Sequence, residues 1–249
     1  MKIRPTITAL LLTASAAFAN PTGLNNIPTA DTPTQGDYVF QTYSTFGEDR
    51  KQDFNVGFKT GFDLKYFKLE VGADDHILPG VGGPTTVQAK VAYSFGDGLP
   101  TLAVGTANTA FTAPERQRSG GIFGYSVLTQ DLGFFRVHGG CALQEGEGQP
   151  FFGVSKVFRI HTKKPVARDG KATIKSDGKA TADGKTEDVT RDLFILRADA
   201  IQQENRTWVS SAGVLVPICK FFVFETWGNF PSDGTAASVT VKGDFVFHF

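Results

Sequence analysis

The sequence contains few cysteines, one methionine and no excess of charge of either sign. Cys141 and Cys219 are too few for a disulfide framework, and they can form one bridge or remain free thiols. The 25 basic residues balance the 25 acidic residues, which gives no support for nucleic-acid binding or for a polybasic membrane-surface protein. We therefore expect neither a disulfide-stabilised scaffold nor a nucleic-acid partner.

Long hydrophobic runs are also missing. Residues 1–19 combine a positive start at Lys2 and Arg4, a short apolar stretch and a small-x-small pattern at 17–19. This arrangement is typical of a secretory signal peptide cut before Asn20. Beyond it, no apolar run approaches the roughly 20 residues of a membrane-spanning helix. The sequence thus predicts an exported chain that can cross a membrane only as a closed barrel.

Alternation of apolar and polar residues is the dominant pattern that is present. In 85–95, for example, Val87, Ala89 and Val91 alternate with polar or charged residues at positions 86, 88 and 90. Since side chains of a strand point to opposite faces in turn, such a segment predicts a strand with one apolar face. Segments of this kind, near the about 9–11 residues of a tilted spanning strand, lie at 37–46, 54–62, 65–73, 85–95, 101–107, 121–129, 134–142, 151–160, 193–201, 207–216, 218–227 and 236–249.

The gaps between these segments alternate between tight and mostly long. The tight gaps follow the second, fourth, sixth and tenth segments. Outer-membrane barrels alternate short periplasmic turns with longer external loops, whereas a soluble sandwich has no reason to do so. We predict an all-β fold over 37–249, a transmembrane antiparallel up-and-down β-barrel of about 12 strands. The alternatives are 10 or 14 strands, and the competing fold is a secreted β-sandwich. The first strand should pair with the last.

Two charges fit the strand pattern badly. Lys156 shares a predicted face with Val154 and Phe158, and Glu225 shares one with Val223. A β-bulge that shifts the phase would accommodate either charge. A position near the membrane interface, where a charge costs little, would also do so.

Two segments lie outside the regular pattern. Residues 20–36 precede the first strand and are expected in the periplasm or in the barrel lumen. Residues 161–192 form a long gap on the periplasmic side, with repeats of Asp-Gly-Lys and almost no large apolar residue. Such a segment cannot bury enough surface to offset its ordering entropy. We expect a flexible polar loop there; the alternative is an extended hairpin.

The last strand carries apolar residues at alternate positions up to Phe245, Phe247 and Phe249. It resembles the closing strand of Gram-negative outer-membrane β-barrel proteins. The resemblance implies that the barrel-assembly machinery recognises these three residues as an assembly signal. It also implies residence in the outer membrane after export, with lipid around the barrel. It identifies a class and no single family within it.

Catalysis has little support in the sequence. The resemblance would point to barrel phospholipases and lipid A deacylases, which use serine and histidine. None of His76, His138, His161 and His248 lies in a serine motif of those enzymes, and no Gly-x-Ser-x-Gly is present. Asp74-Asp75-His76 lacks the defined spacing of a metal site. We expect no enzyme, no metal and no cofactor.

The candidate functional site is the polar interior of the barrel. Its predicted lumen-lining charges are Lys59, Lys68, Glu70, Lys90, Arg136, His138, Arg197, Asp199, Lys242 and Asp244. A 12-strand barrel is intermediate between side-chain-filled 8-strand barrels and open 16-strand porins. We predict a monomeric, narrow channel for passive passage of small polar solutes, slightly favouring anions because cations outnumber anions in this set. A non-transporting structural or adhesive barrel ranks second, and a lipid hydrolase ranks lower.

Overall fold

The computed structural model describes residues 22–47, 53–78, 81–82, 85–109, 123–144, 146–165, 186–203 and 206–249. In these ranges the regular structure is all β-strand, and no helix is long and apolar enough to cross a membrane. The strands are β1 Asp37–Gly47, β2 Asp53–Asp63, β3 Lys68–Leu78, β4 Val81–Gly82, β5 Thr86–Ser94, β6 Thr101–Thr109, β7 Phe123–Asp131, β8 Arg136–Gln144, β9 Glu147–Pro165, β10 Thr186–Gln202, β11 Trp208–Cys219, β12 Phe222–Pro231 and β13 Ser238–His248.

The strands form a closed barrel. Each pairs antiparallel with its neighbours along the chain, β2 pairs with β3, and β1 pairs with β13 from Asp37↔His248 to Gly47↔Ser238. The two-residue β4 pairs only with the end of β3. The barrel wall therefore has 12 strands and no unpaired edge, which confirms the predicted fold and the pairing of the first strand with the last.

Polar side chains line the inside of this barrel and apolar side chains cover the outside. Gln41 and Lys90 are each only 1% exposed, whereas Phe40 is 50% and Phe152 58% exposed. A soluble barrel would show the reverse, because water would surround its outer face. Apolar-out, polar-in alternation is the arrangement that a hydrocarbon surrounding requires.

The two misfitting charges need no bulge in their own strands. Glu225 shares its face with Trp227 and Asn229, and all three are buried inside the barrel. Lys156 points outward, with its Nζ 3.2 Å from the ring centroid of Phe134. Its neighbour Ser155 pairs with the first residue of β8, so Lys156 lies near one end of the wall. The second expected explanation, a place near the interface, applies to it.

The barrel has a terminal end, where β1 begins and β13 ends. The turns at 64–67, 95–100, 132–135 and 220–221 lie at this end, and so does the β9–β10 connection. β9 continues to Pro165 and β10 begins at Thr186, so the loop expected over 161–192 is strand at both ends. The ladder continues because cross-strand contacts hold it, including an Arg159–Asp192 ion pair at 2.9 Å. Residues 166–185 lie outside the described residues.

The two cysteines are unbridged. Cys141 on β8 and Cys219 at the end of β11 are both free and exposed. The sequence allowed either one disulfide bridge or two free thiols, and the structure contains the free thiols. Neither cysteine contributes to the lumen.

Candidate functional site

Residues 22–31 lie inside the barrel, and we call them the lumenal segment. A short turn forms its core, in which the Leu24 amide donates to the Ile27 carbonyl at 3.0 Å. Leu24 and Ile27 are 5% and 1% exposed. They pack against β9 at Gly153, where an added Cβ would lie 2.5 Å from a Leu24 methyl and 2.8 Å from an Ile27 methyl. Glycine at this position therefore makes room for the segment.

An ion pair on β3 and β5 holds one side of the lumenal segment. Lys90 Nζ lies 3.1 Å from Glu70 Oε2, and both side chains are buried. The Lys90 ammonium donates to the backbone carbonyls of Thr22, Thr29 and Asp31. Glu70 Oε1 accepts from the Thr22 amide at 2.8 Å. The pair therefore satisfies backbone groups of the segment that water would otherwise satisfy.

Residues of β10, β11 and β12 hold the opposite side. The Asp199 carboxylate accepts from the backbone amides of Asn25 at 2.8 Å and Asn26 at 3.0 Å. Ser211 donates to the same carboxylate at 2.6 Å. The Asn26 side chain donates to Asn229 Oδ1 at 2.9 Å. The segment is thus bonded across the lumen, from β3 to β12.

The exit of the lumenal segment toward the terminal end is fixed by Arg136. The guanidinium donates two hydrogen bonds to the Asp31 carboxylate, at 3.0 and 2.7 Å. Burial raises the pKa of the Asp31 carboxyl. The hydrogen bonds and charge of Arg136 lower it by more, so that the pKa lies below its usual value. Asp31 is therefore charged at neutral pH and keeps this bidentate pair.

A second charge cluster lies beside the segment. Glu225 binds Arg197 at 2.5 Å and lies 3.5 Å from Lys242, which in turn lies 3.1 Å from Asp244. Lys59 is buried close enough to interact electrostatically with the charges of this cluster. Each of the four paired charges has an opposite charge in contact, as buried ions require.

Most of the ten predicted lumenal charges therefore come together. Eight are at most 7% exposed and lie inside the barrel: Lys59, Glu70, Lys90, His138, Arg197, Asp199, Lys242 and Asp244. Arg136 is partly exposed at the terminal end. Lys68 does not join them, because β3 begins there; it lies on the rim, 3.8 Å from Asp63.

The excess of cations behind the anion preference is absent from the described lumen. Three acidic residues that the predicted set omitted, Asp31, Asp74 and Glu225, are bonded inside the barrel. With them, five cations face six anions, because Lys68 is outside the lumen. Most of these charges form ion pairs with each other or hydrogen bonds with the lumenal segment. The interior therefore favours neither sign of solute charge.

His138 and Ser155 form a serine–histidine contact inside the barrel. His138 Nε2 lies 3.3 Å from Ser155 Oγ, and its Nδ1 lies 2.9 Å from Thr129 Oγ1. The Thr129 hydroxyl also accepts from the Ala30 amide. A threonine thus stands where a catalytic triad has a carboxylate, and the lumenal segment covers the pair. Through Thr129, the contact connects the lumenal segment to β7, β8 and β9.

One group of polar residues on the inner wall takes part in none of the hydrogen bonds described above for the lumenal segment. We call it the polar wall; it consists of Gln41 on β1, Asn55 on β2, Asp74 on β3 and Asp244 on β13, whose side chains are all buried. Gln41 donates to Asp74 at 2.7 Å across Gly57, where a Cβ would lie 1.8 Å from the carboxylate. Among the described residues, neither amide atom of Asn55 has a hydrogen-bond partner, although Asn55 is 1% exposed.

Comparisons with known proteins identify the fold. No family model and no curated protein matches the chain. A structure of the KdgM porin has a TM-score of 0.53 at 7% identity, covering 84% of this chain and 99% of that one. A second structure, of the KdgM porin in complex with disordered oligogalacturonate, has a TM-score of 0.50 at 8% identity, with coverages of 85% and 99%.

Weaker likenesses extend to a porin and to an enzyme. The NanC porin has a TM-score of 0.46 at 9% identity, covering 83% of this chain and 98% of its own. Outer membrane phospholipase A from Escherichia coli has a TM-score of 0.48 at 12% identity, with coverages of 92% and 93%. Neither likeness bears on function. Together with the closed 12-strand wall, the similarity to KdgM shows that the chain has the β-barrel fold of outer-membrane porins.

Proposed function

We propose that the protein resides in the outer membrane as a narrow, passive channel for small polar solutes. Its own lumenal segment restricts the passage. The polar wall is the observation that supports this proposal. Buried polar atoms are almost always hydrogen-bonded, to protein or to water. Among the described residues nothing supplies a partner for the amide of Asn55, and a water molecule or a polar solute in the lumen would supply it.

The chemistry of the polar wall indicates the class of solute. Amide and carboxylate groups of Gln41, Asn55 and Asp74 donate to and accept from hydroxyl groups. The balanced charges of the lumen give no strong selection by sign. A polar solute rich in hydroxyl groups therefore suits the wall better than a strongly charged one. The KdgM porin, whose fold is similar, is described in complex with oligogalacturonate. That solute is rich in hydroxyl groups and also anionic, so it supports a polar solute without excluding a charged one.

A bilayer experiment tests the channel. We expect wild-type protein in a planar bilayer to give small, intermittent conductance steps. A variant that lacks the lumenal segment, residues 22–31, should give larger and longer ones. Swelling of liposomes in sugars of increasing size should show a higher size limit for the deletion variant. Heat-modifiable migration on a gel shows that both proteins are folded barrels.

The second candidate is a structural or adhesive barrel without transport. The number of contacts that hold the lumenal segment favours it, because a permanently filled lumen conducts nothing. Silence of both the wild type and the folded deletion variant would support this candidate and end the channel proposal. Conductance from the deletion variant alone would show a barrel that is closed in its resting state.

A further inference from the structure

The outer wall of the barrel has an apolar depression of about 820 Å³ across β9 to β13. Strand register explains it. Ala198, Ala212 and Gly228 lie side by side on β10, β11 and β12, between Val154 and Val239. Three adjacent small residues leave a hollow in a surface that elsewhere carries large side chains. Its volume lies within the roughly 300–1,000 Å³ of small-molecule sites.

A lysine stands at one edge of this depression. The next row of the register runs from Lys156 through Leu196 and Val214. Lys156 Nζ lies over the ring of Phe134 at 3.2 Å and near that of Phe158 at 5.0 Å. Of the two charged residues in the lining, Arg197 points inward to Glu225. Lys156 is therefore the charge that the depression presents to the outside.

The position and surroundings of Lys156 constrain its partner. It lies next to Phe134 in the turn at 132–135, so it is near the terminal end of the barrel wall, which we place near the lipid headgroups. In the described ranges, no carboxylate forms an ion pair with it. A cation on a lipid-facing wall is destabilising, less so near the interface. A lipid phosphate at this depth would offset that cost.

We propose that the depression binds an acyl chain of one phospholipid from the leaflet at the terminal end, and that Lys156 binds its phosphate. The site rests on the placement in the membrane proposed above and does not require the channel to conduct. A second copy of the chain fits less well. The lining carries no outward carboxylate that could pair with the Lys156 of a partner copy, so two like charges would be buried together.

Retention of lipid by the purified barrel tests this site. The full mature barrel is released from nanodiscs of equal phosphatidylglycerol and phosphatidylethanolamine, and its bound lipid is counted by native mass spectrometry. We expect one retained phospholipid, with an about five-fold preference for the anionic lipid, the size that one lysine near a membrane surface contributes. Lys156→Gln should abolish the preference. Ala212→Leu, which fills the depression, should abolish retention.

A matched control separates this site from general lysine effects. Lys220 lies at the same end and also sits over an aromatic ring, that of Phe221 at 4.5 Å, but borders no such depression. Lys220→Gln should retain lipid as the wild type does. Equal retention by wild type and Ala212→Leu, or a lipid-free dimer, would overturn the proposal. If Ala212→Leu does not assemble, a preference for the anionic lipid in Lys156→Gln equal to that of the wild type would by itself overturn the proposal. Conductance should be the same in all these variants.

Discussion

Breaking the Asp31–Arg136 pair should make the channel open more often. Arg136→Gln removes a bidentate, charge-assisted contact whose two side chains are 31% and 40% exposed. A hydrogen bond to a charged group contributes about 1.5–3 kcal/mol, and partial exposure to water reduces this to about 1–2 kcal/mol. That difference corresponds to an about 5–30-fold change in the ratio of open to closed states.

The remaining contacts limit the effect. Lys90 and Asp199 together hold five backbone groups of the lumenal segment. Because these contacts persist in Arg136→Gln, the closed state should still dominate. Single-channel recordings should therefore show more frequent openings of unchanged size. Only deletion of residues 22–31 should increase the size of the conductance step.

A matched pair supplies the control. Arg159 and Asp192 form an ion pair of similar length, 2.9 Å, on the β9–β10 ladder and not inside the lumen. Arg159→Gln should leave the opening frequency at the wild-type level. If Arg136→Gln and Arg159→Gln change it equally, or if neither changes it while the deletion variant conducts, the pair does not hold the segment.

Acid should have the same effect as Arg136→Gln. Because the pKa of Asp31 is lowered in the closed state, the Asp31 carboxylate stabilises that state fully above the pKa of a free carboxyl, about 3.9. This stabilisation disappears as the pH falls through the lower pKa of the closed state. Conductance should therefore rise in that acid range, and it should rise more in the wild type than in Arg136→Gln, because the carboxylates of Glu70 and Asp199 hold the segment in both proteins. An equal rise in the two proteins would contradict this. Gly153→Leu should displace Leu24 and Ile27 and raise the conductance of liposomes at neutral pH; wild-type conductance would show that the segment tolerates the side chain. Phe249→Ala should lower the yield of heat-modifiable barrel in outer-membrane fractions, and an unchanged yield would refute the role of the last residue as an assembly signal. Thr190 is exposed on the β9–β10 ladder. Thr190→Cys, made together with Cys141→Ser and Cys219→Ser because both native thiols are free and exposed, should react with an impermeant thiol reagent only after the outer membrane is breached. Labelling of intact cells would place the terminal end outside.

The barrel was predictable because lipid imposes a rule on neighbouring residues. Alternation in a strand such as Thr86–Ser94 depends only on which face each residue occupies, and each strand could be found by itself. The strand count follows from the number of such segments, and closure follows because a sheet in lipid leaves no edge unpaired. The alternating gap lengths favour the membrane barrel over a soluble sandwich. Glu225 could also have been placed, since Trp227 and Asn229 share its face and a polar face turns inward.

The lumenal segment was not predictable in the same way. Its contacts join residues far apart in the chain: Asn25 and Asp199 are separated by 174 positions, and Asp31 and Arg136 by 105. Such contacts leave no periodic signature in the sequence. The charges of the lumen were identified from alternation, but whether they face a solute or a piece of the same chain depends on this long-range packing. The excess of cations on which the anion preference was based is not found among the described lumenal residues for the same reason.

Because the lumenal segment is covalently joined to β1 through residues 32–36, it behaves as an internal ligand of the barrel. A short tether keeps such a ligand at an effective concentration in the millimolar range, whatever the amount of protein in the membrane. A solute must therefore displace it and binds with an apparent affinity reduced by the fraction of barrels that are vacant. Flux through the channel would then follow a single-site saturation curve whose half-maximum lies at a higher solute concentration, by the reciprocal of the vacant fraction.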